Sequence, residues 1–408
     1  MGSRSALRRG SPGRRRINLV AVLVVLMAAV ACGSPSGGRS EVQSGAGSGE
    51  PVSPRLDPAL AWTGERIFLY GGSEVQDGTR LNDAHVITQD LAEGETLPEP
   101  PFSNGLRNSS VAVIEDTVVV AGTLCGASEP HDQCADGEIA VATFDWATDQ
   151  WEMVPLPEGL RDISAPQGWI GPTVRVLGPD PDGGVVVDAG PTPGTYWRLD
   201  VETSTWSGGV EAPFDLRTMS SRGESPLAGA CVAGRDLVVL EVTEELSESS
   251  DRALRAVAYS APINTLDGSA EWTAAEALSL NEWPRLRCAG DLPVITVTTL
   301  PYGGVWHLGD GGLRWVAAPD PPALNPQRPG SLDELSIFLT WGWDGEDMVF
   351  VNTNGSHPTL RYRPSTMSWT ETAAIRSTIE TPPLWTGSDF VGVSADGSIP
   401  MGVLFTFR

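Results

Sequence analysis

The sequence of 408 residues contains no lysine, four histidines and five tyrosines, and only 19% of its residues are charged. All 27 basic residues are therefore arginines, and they face 52 aspartates and glutamates, for a net charge of −25. Because proteins bind a phosphate backbone through clusters of Lys and Arg, this balance argues against a nucleic-acid partner. Hydrophobic residues make up 40% of a chain long enough for a sizeable core, so we expect a globular protein.

Recognisable catalytic and metal-binding patterns are also lacking. The four histidines show neither a two-His helix spacing nor a Cys–His ligand cluster; they are His85, His131, His307 and His357. There is no Gly-x-Ser-x-Gly elbow and no Gly-rich phosphate loop between a strand and a helix. The acidic residues in 241–251 could bind Ca²⁺, but such charge runs are usually solvated loops. We expect no metal, no cofactor and no catalytic residue that the sequence alone identifies.

A basic segment followed by an apolar run opens the chain. Six arginines precede residues 20–31, which are apolar throughout. This order is that of a secretory signal, and a run of about a dozen residues is shorter than the roughly 20 that span a membrane. We therefore predict a signal peptide over residues 1–31.

The end of the signal carries a cysteine in a distinctive context. Residues 28–34 read Ala-Ala-Val-Ala-Cys-Gly-Ser and resemble a bacterial lipobox, with Ala29 where Leu is commoner. In lipoproteins of that class the Cys thiol receives a lipid before cleavage, which would make Cys32 the lipid-attached mature N-terminus. The alternative is an ordinary cleaved signal with an incidental Cys. Residues 32–53, rich in Gly and Ser, fit a flexible tether.

These features predict a lipid-anchored protein on the extracytoplasmic face of the cell membrane. Loss of residues 1–31 removes six arginines and no acid, which leaves 21 basic against 52 acidic residues and a net charge of −31. An anionic leaflet would repel such a domain, so we expect it to stand off the membrane. Arginine without lysine, together with abundant Ala, Gly, Val and Pro, suggests a GC-rich genome such as that of an actinobacterium.

Four cysteines remain after the lipid site. An exported compartment permits disulfides, and an even number is what pairing requires. Cys125 and Cys134 flank a short loop, while Cys231 and Cys288 each lead into a β-rich run. Of three possible connectivities we favour Cys125 with Cys134 and Cys231 with Cys288. The alternative is four free buried thiols.

From residue 54 to residue 408 one theme recurs, in units of about 50 residues. Each unit has an apolar run, a Gly or Asp turn, a second apolar run, a polar loop, and a strand ending near Asp before a Trp. Unit starts lie near Trp62, Val111, Ile170, Ala230, Arg287, Trp341 and Trp385. Short apolar runs bounded by turn residues, repeated at this period, indicate an all-β propeller. Seven blades are predicted, with six as the alternative.

Three motifs resemble those of kelch-type, galactose-oxidase-like β-propellers. They are the Trp62-Thr63-Gly64 turn, Tyr70-Gly71-Gly72 at the end of a second strand, and Asp145 in the closing pattern that ends at Trp151. The resemblance covers residues 54–408. The last unit has room for only three strands, so we expect the chain around Arg55, or the segment just before it, to supply the missing edge. The copper ligands of galactose oxidase are not matched.

The tryptophans fall into two groups. Those that recur in phase are predicted to pack between adjacent sheets: Trp151, Trp206, Trp272, Trp315 and Trp369, and likewise Trp62, Trp343 and Trp385. Three that are less periodic are candidates for stacking on a ligand: Trp169, Trp283 and Trp341.

The sequence predicts a function of binding rather than catalysis. A monomeric propeller can assemble a site for a protein, glycan or small ligand from loops or from its central funnel, without a local motif. The partner could equally be another envelope protein, with the domain purely structural. Residues 310–315 match part of the Asp-box of sialidase-like propellers, so a carbohydrate-active enzyme is the alternative function.

Overall fold

The computed structural model describes a chain that is almost entirely β. The described residues are 43–44, 52–126, 134, 137–161, 163, 173–190, 194–214, 227–245, 253–297, 304–309, 314–321, 339–352, 359–372, 375, 377–379, 382–397 and 401–407. All of them belong to the unit Arg39–Arg408. No helix within these ranges is long and apolar enough to cross a membrane. The helical elements described are α1 (Glu158–Arg161) and one 3₁₀ turn, Ile263–Thr265.

Two short strands precede the first three antiparallel sheets, which we call blades 1 to 3. The short strands are β1 (Gln43–Ser44) and β2 (Arg55–Leu56). Blade 1 contains β3 (Ala59–Trp62), β4 (Ile67–Tyr70), β6 (Ala84–Ile87) and β7 (Gly94–Thr96), while the intervening β5 (Ser73–Glu74) pairs with β2. Blade 2 contains β8 (Leu106–Ile114), β9 (Thr117–Leu124), β10 (Glu138–Asp145) and β11 (Gln150–Met153). Blade 3 contains β12 (Thr173–Asp180), β13 (Gly184–Gly190), β14 (Thr195–Asp200) and β15 (Thr205–Glu211).

Four further sheets form blades 4 to 7. Blade 4 contains β16 (Leu227–Ala233), β17 (Asp236–Glu245), β18 (Ala253–Pro262) and a split edge, β19 (Thr273–Ala274) and β20 (Leu278–Leu280). Blade 5 contains β21 (Pro284–Ala289), β22 (Leu292–Val297), β23 (Val305–Leu308) and β24 (Trp315–Ala317). Blade 6 contains β25 (Leu339–Trp343), β26 (Met348–Asn352), β27 (Thr359–Arg363) and β28 (Ser368–Thr372). Blade 7 contains β29 (Ser377–Ile379) and β30 (Leu384–Trp385) on one edge, then β31 (Phe390–Gly397), β32 (Leu404–Phe407) and β1.

The seven sheets form a ring around one axis. The first strands of neighbouring blades contact one another: β3 with β8, β8 with β12, β12 with β16, β16 with β21, β25 with β30, and β30 with β3. They are therefore the innermost strands, and the last contact joins the final blade to the first. The molecule is a seven-bladed β-propeller, which confirms the predicted fold class and the seven blades.

Each sheet is buried on both faces because it lies between two others. In β9, Val118 and Val120 pack towards blade 1, whereas Val119 packs towards blade 3, and all three are fully buried. Side chains alternate between the faces of a strand, so an uninterrupted apolar run is what a strand in this position needs. The β-branched runs in the sequence are thus the second strands of their blades.

Hairpin turns of one kind join the first and second strands in three blades. Gly64, Gly345 and Gly387 have φ near +90°, at +96°, +100° and +88°, where a residue with a Cβ is strained. In the first turn, the Thr63 amide also bonds to the Arg66 carbonyl at 2.9 Å. The recurring Trp-x-Gly pattern therefore encodes a blade's first hairpin.

The N-terminal segment completes blade 7. Gln43 pairs with Thr406 and Ser44 with Phe405, so β1 forms the edge strand beside β32. The expectation that a segment before Arg55 supplies the missing edge is confirmed. The tether over residues 32–53 stays a prediction, within which Gln43 and Ser44 are paired with β32. The strand pairs through backbone N–H and C=O groups, which every non-proline residue carries, so the residue types of this segment did not mark it as a strand.

Arg55 holds the point where the ring closes. Its side chain is 1% exposed and forms a two-pronged ion pair with Asp83 of blade 1, at 2.7 and 3.1 Å. Its amide bonds to the carbonyl of Gly402, next to blade 7, at 3.0 Å. His85 bonds to the same carboxylate at 2.7 Å. Burial acts to raise the pKa of Asp83, but the hydrogen bonds from His85 and Arg55 outweigh it and hold that pKa well below its usual range.

Tryptophans of the outer strands join adjacent blades by a repeated hydrogen bond. The indole N–H of Trp151 donates to the Pro98 carbonyl at 2.8 Å, that of Trp206 to Pro155 at 2.9 Å, and that of Trp369 to Pro319 at 2.6 Å. In each pair the acceptor lies just after the last strand of the preceding blade. These three in-phase tryptophans therefore connect neighbouring blades by a bond to a loop carbonyl.

We expect Trp369→Ala to lower the free energy of unfolding by about 3 kcal/mol, because it removes ring contacts to Phe350 and Tyr362. Trp369→Phe keeps an aromatic ring and should cost about 1 kcal/mol, the value of the lost hydrogen bond. Trp385→Phe is the control, since no bond from the Trp385 indole N–H to a described residue is present and its ring contacts Phe390. Denaturant unfolding checks both; equal losses for the two Phe variants would contradict the role of the bond.

We expect Asp83→Asn to destabilise the protein by about 3 kcal/mol at pH 7, because it leaves the buried Arg55 guanidinium without its counter-charge. The pKa of Asp83 is lowered by folding, so its contribution is full above about pH 4, the unfolded value, and is lost as the pH falls further. Unfolding curves of the wild type and variant should therefore converge in acid. Glu95→Gln, which breaks the exposed pair with Arg66, is the control and should cost less than about 1 kcal/mol.

Candidate functional site

A cavity of about 1000 Å³ opens in the centre of the ring on the side of blades 2 to 5. Its wall is made by the first strands β12, β16 and β21, with Ser110 from β8. It extends from Arg175 and Trp283, near the start of these strands, to the hairpin turns at Pro181 and Asp291. The cavity thus follows the channel along the inner strands, the place where a propeller brings residues from several blades together.

Small residues and a disulfide shape this wall. A Cβ on Gly229 would lie 2.8 Å from the Leu286 carbonyl oxygen, so only glycine lets β16 approach β21 this closely. Cys231 and Cys288, one from each strand, form a disulfide with their Cα atoms 5.6 Å apart. Both cysteines line the cavity. The disulfide joins blades 4 and 5 at the channel.

The second disulfide lies in blade 2, at the loop between β9 and β10. Cys125 and Cys134 are bonded, with Cα atoms 5.3 Å apart, and both are buried. The structure therefore contains the two pairings that the sequence favours. Neither sulfur of this second disulfide lines the channel cavity.

The acidic side chains near blade 3 are neutralised by arginines. Asp188 is 1% exposed and accepts a bond from Arg175 at 2.7 Å. Asp180 is also buried and accepts a bond from Arg198 at 2.5 Å. Arg175 and Asp180 both line the cavity. These pairs hold blade 3 together and leave little uncompensated charge at this part of the wall.

On blade 5 the wall carries two arginines without such partners. Arg285 and Arg287 are two residues apart on β21, which places them on one face of the strand. The guanidinium of Arg287 lies 5.9 Å from the centre of the Trp341 ring, and its Nη1 donates to the Trp341 carbonyl at 3.4 Å. Burial and then the charge of Arg285 lower the pKa of Arg287 to about 10, so Arg287 remains cationic at neutral pH. No described carboxylate forms an ion pair with either.

The three tryptophans proposed as ligand-stacking residues lie in different surroundings. Trp283 is half-buried, lines the cavity and also packs against the core between blades 4 and 5. Trp341 is 4% exposed and packs in the core between blades 5 and 6, against Phe350 and beside Arg287. Trp169 lies outside the described residues. Trp283 is thus the one of the three that meets the cavity, while Trp341 sits behind it.

The scattered histidines are not brought together. His85 is bound between Asp83 and Thr96, and His307 is buried between strands, where burial lowers its pKa. His131 and His357 lie outside the described residues. Within the described ranges no group of three or more His, Cys, Asp or Glu could hold a metal ion. Of the Asp-box-like residues 310–315, Trp315 is buried in the core of blade 5 and residues 310–313 lie outside the description.

Arg285 and Arg287 are the residues that sequence reasoning missed. Arg287 marks a blade start in the sequence, but no known site motif includes it. A signal was available: the run Arg-Leu-Arg-Cys places two cations on one strand face in a chain dominated by acids. Its meaning depends on this strand being innermost and on no described acid pairing with it, and neither fact can be read from the sequence.

Comparisons with known proteins agree with this architecture. No family model matches the chain. The kelch-like protein terF of Aspergillus terreus is 27% identical over 156 residues, which are 38% of this chain and 33% of that protein. The match thus spans about a third of the length of this curated relative. With the seven blades, it supports a kelch-type β-propeller.

Two solved structures are similar in shape. The structure of U3-55K has a TM-score of 0.51 at 8% identity and covers 88% of this chain and 97% of that chain, which shows the fold alone. The tricorn protease has a TM-score of 0.41 at 10% identity, covering 78% of this chain and 26% of that chain. A similarity at that level supports no functional statement.

Proposed function

We propose that this protein is an extracytoplasmic lipoprotein, anchored through Cys32, whose propeller binds a ligand in its central channel. The observation that carries the binding role is the cavity of about 1000 Å³, bounded by residues from four blades. Ligand pockets for small molecules fall in the range of about 300–1000 Å³ and combine apolar walls with a few polar groups. The channel wall fits this description, with Trp283, Leu177 and Val232 beside the arginines.

Several features favour binding over hydrolysis at this site. A glycosidase needs two carboxylates at a defined separation, or a Tyr nucleophile. Of the two carboxylates on the cavity wall, Asp180 is buried in its pair with Arg198, and Asp291 lies in the turn after β21. Tyr196, near the wall in blade 3, is buried, and that burial raises its pKa well above the usual value. No described pair of acids is therefore poised across the cavity.

The anchor is argued from the sequence. A basic segment, an apolar run and a small-residue site ending at Cys32 are followed by a segment that reaches the propeller at Gln43. Two or more acyl chains give stable membrane attachment, whereas a single chain gives only marginal binding. The propeller would then face the exterior, where the two disulfides are stable.

We expect Cys32→Ala to release the protein from the membrane fraction into the medium, because it removes the thiol that would carry the lipid. Replacing Cys125 and Cys134 together by Ala is the control, because it removes other cysteines without leaving an unpaired thiol and should leave the protein in the membrane fraction. Fractionation followed by immunoblotting measures both. Persistence of the Cys32 variant in the membrane would refute the anchor.

Filling the channel tests the binding role. Pro179 lines the cavity, is exposed and has no amide N–H to lose, so Pro179→Trp should place an indole in the channel without breaking a backbone bond. A panel of neutral and charged sugars and small organic acids is screened for a rise in melting temperature. We expect ligands that stabilise the wild type to leave Pro179→Trp unchanged.

Ala147→Trp is the control for added bulk, because Ala147 is exposed in a turn of blade 2 away from the cavity. It should respond to every ligand as the wild type does. A ligand that stabilises Pro179→Trp as strongly as the wild type binds elsewhere and would count against the channel.

A further inference from the structure

The arginines of this chain are mostly engaged by its abundant acids. Eight of those with described side chains form ion pairs: Arg55, Arg66, Arg175, Arg198, Arg235, Arg314, Arg361 and Arg363. Against 52 acidic residues, two adjacent arginines without a described acidic partner stand apart. Arg285 and Arg287 are such a pair, and both line the channel.

Their arrangement is unfavourable as it stands. Like charges two residues apart on one strand face repel, and a cation that loses water without a counter-charge is destabilised. Burial and then the charge of Arg285 lower the pKa of Arg287, and no acid of the described ranges offsets them. The opposite face of the strand gives no relief, because Leu286 packs in the core towards blade 4 and Cys288 is bonded to Cys231.

The surroundings hold Arg287 while most of its donors have no partner among the described residues. A guanidinium has five N–H donors, and the Trp341 carbonyl takes one of them. The Trp341 ring lies beside the guanidinium and restricts its position. The remaining donors, and all those of the exposed Arg285, have no described partner. Paired forks of this kind match the two oxygens of a carboxylate or of a phosphate or sulfate group.

We propose that Arg285 and Arg287 form an oxyanion-binding site in the channel, so that the ligand is an organic anion held by a carboxylate, phosphate or sulfate group. This rests on the proposed channel-binding function and names its ligand class. The other charged groups of the wall are Arg175, which is paired with Asp188, Asp180, which is paired with Arg198, and Asp291 at the far turn. The half-buried Trp283, two residues from Arg285, offers an apolar surface for the rest of the ligand.

The test is a titration of the full chain in detergent with two probes, inorganic phosphate and acetate, at ionic strength held constant with NaCl. A probe that binds only the folded protein raises its melting temperature in proportion to RT ln(1 + [L]/Kd). We expect at least one probe to stabilise the wild type. The apparent Kd should rise at least about tenfold in Arg285→Gln and in Arg287→Gln, the factor expected from losing a hydrogen bond to a charged group.

Two further variants separate recognition from general charge. Arg255→Gln removes the same charge from an exposed position of blade 4 outside the cavity wall, so its apparent Kd should match the wild type. Arg285→Lys keeps the charge without the two-pronged fork, so its apparent Kd should fall between those of the wild type and Arg285→Gln. Because Arg285 is exposed, Arg285→Lys should unfold at the wild-type temperature without a probe, and Arg285→Gln, which removes the repulsion of Arg287, should unfold at that temperature or slightly above it.

Each outcome decides the proposal. A response to phosphate, to acetate or to both that is lost in Arg285→Gln supports the site and assigns the group it prefers. No response in the wild type, or an equal response in all variants, overturns it. If neutral ligands bind and are blocked by Pro179→Trp while neither anion binds, the oxyanion site fails and the channel-binding function stands. If Pro179→Trp blocks nothing, the binding function itself fails.

Discussion

Packing of each sheet between two neighbours is the interaction on which the whole molecule depends. A second strand in this position must be apolar on both sides, as in the buried run Val118–Val119–Val120. The ring then has to close, because an open end would expose both a sheet face and an unpaired edge. Gln43 pairs with blade 7, and Arg55 links blade 1 to Gly402. The N-terminal residues of the propeller therefore close the ring against its C-terminal strands.

Charge plays two different parts in this acidic protein. Two largely buried arginines are matched by carboxylates: Arg55 by Asp83 and Arg198 by Asp180. Such pairs fix the position of strands and turns, at a cost in desolvation that their hydrogen bonds offset. Arg287, which lines the cavity, has no described acidic partner, and for this reason we place the proposed ligand site in the channel rather than on the outer surface.

The sequence predicted much of the fold, because propeller repeats are encoded locally. The first hairpin of a blade needs a residue with positive φ, which explains glycines such as Gly64. Trp151, Trp206 and Trp369 recur in phase because each indole bonds to the loop after the preceding blade. The disulfide pairing was also accessible, since equivalent positions such as Cys231 and Cys288 begin successive blades. For the closing strand, the sequence predicted the segment near Arg55 but not the residues that pair, because Gln43–Ser44 carries no apolar pattern.

What the sequence by itself determined is therefore the all-β class, the repeated units and the acidic character; the export signal in residues 1–31 stays a prediction. All of these depend on residue types and on short-range spacing. Only the tertiary structure decided which arginines lack an acid, that Trp283 meets the channel and that Trp341 lies behind it. Those relations join residues of different blades, and a distance across the ring is fixed by closure of the whole propeller rather than by any local run of residues.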